Sequence, residues 1–310
     1  KIDESFHQHF ATDYWAWRAV FENDRNSRVT QHPDLLLTEL SFSRDAEHHP
    51  PKLITCQQKS KTVGAAVLIP KSIAGEKKFG PAWDLRGYRL AGNRLIGSDD
   101  SEVQSRLMQG ISQHMTQSRA DFLLVEDVET TDPLLSLVEN NSHGLQTFKP
   151  APFQRRHMIE LPETHDEYWS KFNSKTRSTL QRKLKQFGNC RLELINKPFQ
   201  IPEFLENAQE ISKRSWQSDL LGLRIQNDEF ETQVFTFLAI QNALRAYLLW
   251  QDDTPISFCI GTQHNGIFNY EEVGYDRDYS KKSPGQVLVI KMLEEMYEHD
   301  KPTVFDFGGG

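Results

Sequence analysis

Three cysteines, Cys56, Cys190 and Cys259, stand far apart in 310 residues and form no CxxC pair. That spacing suggests neither a disulfide framework nor a zinc knuckle, and it makes a reducing cytoplasm the expected location. No run approaches the roughly 18 apolar residues that a membrane span needs, so none is expected. Positive charge is also short. The net charge of -7 argues against a general grip on nucleic acid, because non-specific binding sets lysines and arginines against many phosphates. Any anion site must be local. GxSxG, HExxH and GxxxxGK are all missing, so hydrolase-elbow, zinc-protease and P-loop chemistry fall away. His48-His49 beside Pro50-Pro51 reads as a loop, and no metal is expected.

What is present is globular: 37% hydrophobic and 25% charged residues, with length for about two domains of ~150 residues. The proline-bearing stretch "TFKPAPF" (147–153) marks the expected boundary, giving domains 1–150 and 151–310. The chain begins at Lys1 rather than methionine and stops at Gly310 directly after a strand-like "TVFDF", so trimming at the start and truncation at the end are expected.

In the first half, "KLITCQQKSKTVGAAVLIP" reads as two strands about a polar turn at 57–61. A helix with Val103, Leu107, Ile111 and Met115 at helical spacing and a strand over 121–128 follow. The second half repeats the grammar: a strand at 190–196, two helices, three strands joined by Asp-Asp-Thr-Pro and His-Asn-Gly turns, then a helix and a strand. The expected class is α/β of the α+β type.

Residues 276–296, "DRDYSKKSPGQVLVIKMLEEM", set Lys281 and Lys282 at the mouth of an apolar helix. With Ser283 as N-cap, Pro284 falls at N1, Gly285 at N2 and Gln286 at N3, so an S-x-x-Q capping box is expected. Gly285 is out of place, since glycine costs about 1 kcal/mol against alanine in a helix. A phosphate pressed close to the backbone N–H groups would explain it, aided by the helix dipole and the lysines. The plain alternative is a good cap with solvated lysines. In the first half Asp99, Asp100 and Glu102 crowd the corresponding mouth and would repel a pyrophosphate.

"YWSKFNSKTRSTLQRKLKQF", Trp216 after a helix, "YEEVGYDRDYSKKSPGQVL" and "FDFGGG", in this order, make residues 168–308 resemble the GNAT acyltransferases, more narrowly their FemAB-like branch with its CelD-type proteins of exopolysaccharide synthesis. The resemblance implies tandem GNAT-like domains, each a mixed, mostly antiparallel sheet flanked by helices, with the first degenerate. It departs at the end, where the family continues into a Tyr-Lys-containing segment.

The resemblance also implies acetyl-CoA or another acyl-CoA as donor, its pyrophosphate on Lys281, Lys282, Ser283, Pro284, Gly285 and Gln286. Pantetheine would run along 268–275, where that strand splays from 303–307. The acceptor would be a small molecule or glycan precursor of the envelope, offering an amine or hydroxyl. Glu271 and Glu272 are the obvious bases, and strand alternation sends them to opposite faces; Glu272 is taken as base, with Tyr270 two residues before it on the same face as acid. Asp276, Tyr279 and Asp306 match family positions on the substrate side, as does Trp216. The acid-free run 171–187 carries Lys171, Lys175, Arg177, Arg182, Lys183 and Lys185 opposite an apolar stripe. It is a solvated face or an anion-binding surface, with Arg177 and Arg182 expected to hold an anionic acceptor. Two rival readings remain: a Fem-type ligase using aminoacyl-tRNA, for which that basic run would grip RNA, and a non-catalytic GNAT-like binding module.

Overall fold

The computed structural model describes residues 13–43, 50–74, 84–97, 100–139, 144–149, 152–215, 222 and 224–309. The chain divides into two compact units, Lys1–Pro152 and Phe153–Gly310.

In the first unit, helices α1 (Tyr14–Asn23) and α2 (Pro33–Ser41) precede the hairpin of β1 (Lys52–Gln58) and β2 (Lys61–Ala74). Lys59 and Ser60 make its two-residue turn, both at positive φ (48° and 64°), the geometry that suits the twist of the flanking strands. Next come β3 (Asp84–Leu90), the short β4 (Ile96–Gly97), α3 (Ser101–Ser118), β5 (Leu123–Leu124) and α4 (Pro133–Glu139). The expected strand over 121–128 shrinks to two residues, which pair parallel with Tyr88 and Arg89. Two buried clusters form the core. Trp17, Phe21 and Leu36 meet Ala65 and Val67 in one, and Val103, Leu107 and Ile111 meet Ala66 and Leu68 in the other, as strand alternation on β2 dictates.

The second unit contains β6 (Arg156–Glu160), α5 (His165–Ser170), α6 (Ser174–Phe187), β7 (Cys190–Ile195), α7 (Ile201–Arg214) and α8 (Glu229–Ile240). It continues through β8 (Ala246–Gln251), β9 (Thr254–His264), β10 (Ile267–Tyr275), α9 (Pro284–Glu298) and β11 (Val304–Gly309). The sheet order is β6-β11-β10-β9-β8-β7, all antiparallel except β10 with β11. On one face, Phe187 of α6 and Val287, Leu288 and Met292 of α9 bury Tyr247, Leu249, Cys259, Phe268 and Phe305. α7 lies against β9 and β10, and α8 packs on α7. Each unit is thus a mixed, mostly antiparallel sheet flanked by helices. Among the described residues, no helix is long and apolar enough to cross a membrane.

Candidate functional site

The parallel ladder between β10 and β11 is short. Ile267, Phe268 and Asn269 pair with Val304, Phe305 and Asp306, and then pairing stops although β10 runs on to Tyr275. One side of β10 beyond Asn269 is therefore released from its neighbour strand, and the strands part there.

At that point β10 also bulges. Tyr270 pairs with Gly261 of β9 and Glu272 with Ile260, leaving Glu271 as the extra residue. A bulge breaks alternation, because two residues on one strand oppose one on the other. This corrects the expectation that the two glutamates face opposite ways. Glu272 sits beside Ile260, and Glu271 accepts a hydrogen bond from Thr262 Oγ1 at 2.5 Å, which lies on the same face as Ile260. Tyr270, expected to share a face with Glu272, belongs to the opposite face, where it packs on Phe305 and Phe307 among the residues under α9. Burial there raises its phenol far above the usual range.

The two carboxylates differ in company. Glu272 is ion-paired with Arg224. Glu271 is exposed as a residue, but protein crowds its carboxyl; desolvation raises its pKa, and the Thr262 hydrogen bond opposes that rise. Across the gap, Asp306 is buried at 3% exposure, bound by Arg156 through Nε at 2.6 Å and Nη2 at 2.5 Å, and accepts from the Gly308 N–H at 2.8 Å.

At the helix mouth, the capping box does not form. Ser283 adopts left-handed geometry (φ 59°, ψ 56°) because it also ends the 3-10 turn Arg277–Lys282, whereas a capping side chain needs an extended residue. Gln286 instead accepts from Lys183 of α6, and its own N–H bonds the Ser283 carbonyl at 3.1 Å. Pro284 holds N1 as expected. A Cβ built on Gly285 would meet nothing within 4 Å, so no neighbour within the chain demands glycine there. Lys281 is exposed, while Lys282 donates to Gln251 Oε1 at 3.2 Å and lies over Phe187 and Tyr279. Asp276 is buried, ion-paired with Arg214 at 2.9 Å and capping the turn through the Asp278 N–H, and Tyr279 bonds back to its carbonyl. These two residues organise the turn. Trp216 lies outside the described residues.

The basic helix α6 packs on α9, on the sheet face opposite to Glu271 and Glu272. Arg177 and Arg182 are thereby separated from the two glutamates by the sheet. Lys175, Arg177, Arg182 and Lys185 make no ion pair among the described residues, and no His, Cys, Asp and Glu group there could hold a metal.

Residues 174–310 match the family described as "Acetyltransferase (GNAT) domain". No curated protein matches the chain by sequence. Among solved structures, FemX is similar at 13% identity and TM-score 0.63, over 96% of this chain and 87% of that one. A C-terminal DUF2156 domain from Agrobacterium fabrum is similar at 13% identity and TM-score 0.58, over 97% of this chain and 78% of that one. A tandem GNAT protein from the clavulanic acid biosynthesis pathway gives 12% identity and TM-score 0.51, over 96% and 86%. At such identities the likeness is one of fold. Taken with the domain match, it supports catalytic acyltransferase activity in a chain of two GNAT-like lobes.

Proposed function

We propose that the second unit transfers an aminoacyl group from aminoacyl-tRNA, in the manner of the Fem-type ligases it resembles, to an amine or hydroxyl of an envelope or exopolysaccharide precursor. The observation that carries this reading is the uncompensated basic face of α6 packed against α9, in a protein of net charge -7. A compact diphosphate needs only a helix mouth. A nucleic-acid acceptor stem needs a row of cations beyond it, each displacing counterions from a phosphate.

In this reading the donor carbonyl lies where β10 and β11 part. The acceptor approaches from the Glu271 face, and Glu271 rather than the ion-paired Glu272 takes its proton. The nucleophile then attacks the ester carbonyl, its bond to carbon forms as the ribose oxygen leaves, and the proton held by Glu271 is free to pass on to that oxygen or to water.

Acyl-CoA is the second reading. It is favoured by Gly285, which no internal contact explains, and by the acetyltransferase domain match. Pyrophosphate would then rest on the turn 281–286. The experiment is a pair of measurements on one preparation: filter binding and transfer with radiolabelled aminoacyl-tRNA, and calorimetry with acetyl-CoA. Salt-dependent tRNA binding with no acetyl-CoA heat is the expected result. Acetyl-CoA binding without tRNA binding returns the donor to coenzyme A, and binding of neither leaves a non-catalytic module.

A further inference from the structure

Thr262 is a polar side chain sealed into the sheet at 2% exposure, directly opposite Asn269, the last residue of β10 to pair with β11. Its hydroxyl has two neighbours. Asn269 Nδ2 reaches Thr262 Oγ1 at 3.5 Å, and Thr262 Oγ1 lies 2.5 Å from Glu271 Oε1. With the amide donating into the oxygen, the hydroxyl proton is directed to the carboxylate. A directed chain Asn269→Thr262→Glu271 results, each link polarising the next.

We propose that Thr262 is the positioning residue for Glu271, holding its carboxylate ionised and aimed beside the opening between β10 and β11. This rests on the reading of Glu271 as the base. Three features argue for it. A bulge residue has no ladder partner to fix it, so its side chain needs another restraint, and Thr262 supplies one. A hydrogen bond to the charged form favours that form. The charges nearby are otherwise committed: Glu272 to Arg224 before α8, Asp306 on β11 to Arg156 on β6, and Asp276 to Arg214 on α7. Tyr270 and Cys259 occupy the opposite face. Among the described residues no cation pairs with Glu271, so the hydroxyl is the group that opposes its neutralisation by desolvation.

The test is direct titration of the full chain carrying glutamate labelled with 13C at Cδ, with Glu271→Gln identifying the resonance. Thr262→Val keeps the shape and removes the hydroxyl, and should raise the Glu271 midpoint by about one pH unit, a tenfold change in its ionisation constant. Thr262→Ser should restore it, and Thr262→Ala gives the same comparison if valine is not tolerated. An unmoved midpoint in folded Thr262→Val or Thr262→Ala overturns the proposal. The acidic limb of the pH profile for transfer from aminoacyl-tRNA, or from acetyl-CoA if that is the donor, should move with the resonance. A moved resonance with an unmoved limb keeps the hydrogen bond but overturns Glu271 as base, and with it the role of Thr262 in transfer.

Discussion

Both units run strand, helix, parallel strand, and both interrupt the antiparallel ladder one residue past the last parallel pair. In the first unit that pair is Arg89 with Leu124 and the break follows Leu90; in the second it is Asn269 with Asp306 and the break follows Tyr270. The interruptions then diverge. The first unit loops through Ala91 to Leu95 before the ladder resumes at Ile96. Gln31, fully buried, fills that loop: its Nε2 donates to the Ala91 carbonyl at 3.1 Å and the Arg94 carbonyl at 3.0 Å. Gly92, at φ 62°, makes room, since a Cβ would lie 2.3 Å from Gln31 Cγ. The second unit interrupts with one residue and lines the opening with carboxylates. The helix mouths differ likewise: Asp100 caps α3 with its own carboxylate through the Glu102 N–H at 2.8 Å, whereas the Ser283 side chain caps nothing. The same break in a sheet can be stoppered with a side chain or left as an opening beside carboxylates.

The sharpest way to break this comparison is at the bulge. Glu271→Gln should lower kcat about 100-fold or more, within the usual range for a general base, while Glu272→Gln, which removes only a partner of Arg224, should lower it less than about tenfold. The sign with pH follows from the raised Glu271 carboxyl: transfer needs it ionised, so the rate should climb with pH through a midpoint above the ordinary glutamate value. Equal losses in both variants would erase the distinction between them.

A smaller effect is expected at the mouth. Gly285→Val places a side chain in open space, so melts should hold, yet donor affinity should fall tenfold or more, about 1.4 kcal/mol. Unchanged affinity by calorimetry or filter binding would make the turn a helix start and nothing else.

Replacing Arg177 and Arg182 together by alanine should weaken tRNA binding severalfold at low salt, with the difference fading as ionic strength rises over Debye lengths of about 8 to 10 Å. Acetyl-CoA affinity should not respond. The reverse pattern would assign α6 to a small donor.

The least effect on donor binding belongs to the first unit. Gln31→Ala strips one buried and one part-buried carbonyl of their donor and should cost about 1–3 kcal/mol in denaturant unfolding. Donor affinity should stay as it was; a measurable change would mean that the stoppered break still communicates with a ligand.

Much of this arrangement was legible in the residues. The order of strands and helices from residue 190 onward and the proline at N1 of α9 rest on local spacing, and the structure keeps both, whereas β6 and α5 were not expected and the acid-free basic run is helical only from Ser174. What escaped was phase and context. A single bulge has no local signature, since "NYEEVGY" alternates plausibly with or without an extra residue, and the face of Glu271 depends on the partner strand. The capping box failed because Ser283 serves two elements at once, and its backbone geometry is set by the turn before it. In the first unit, Gln31 lies 60 residues from the Ala91 carbonyl that it satisfies, a distance over which sequence patterns carry no signal.

Removing Glu271 altogether would leave Tyr270 opposite Gly261 and Glu272 opposite Ile260, a regular ladder with every later residue still on its present face, including Gly274 against the Phe258 ring. The ladder of β9 and β10 therefore does not depend on Glu271. The extra residue adds a carboxylate beside the opening without shifting the turn that precedes α9.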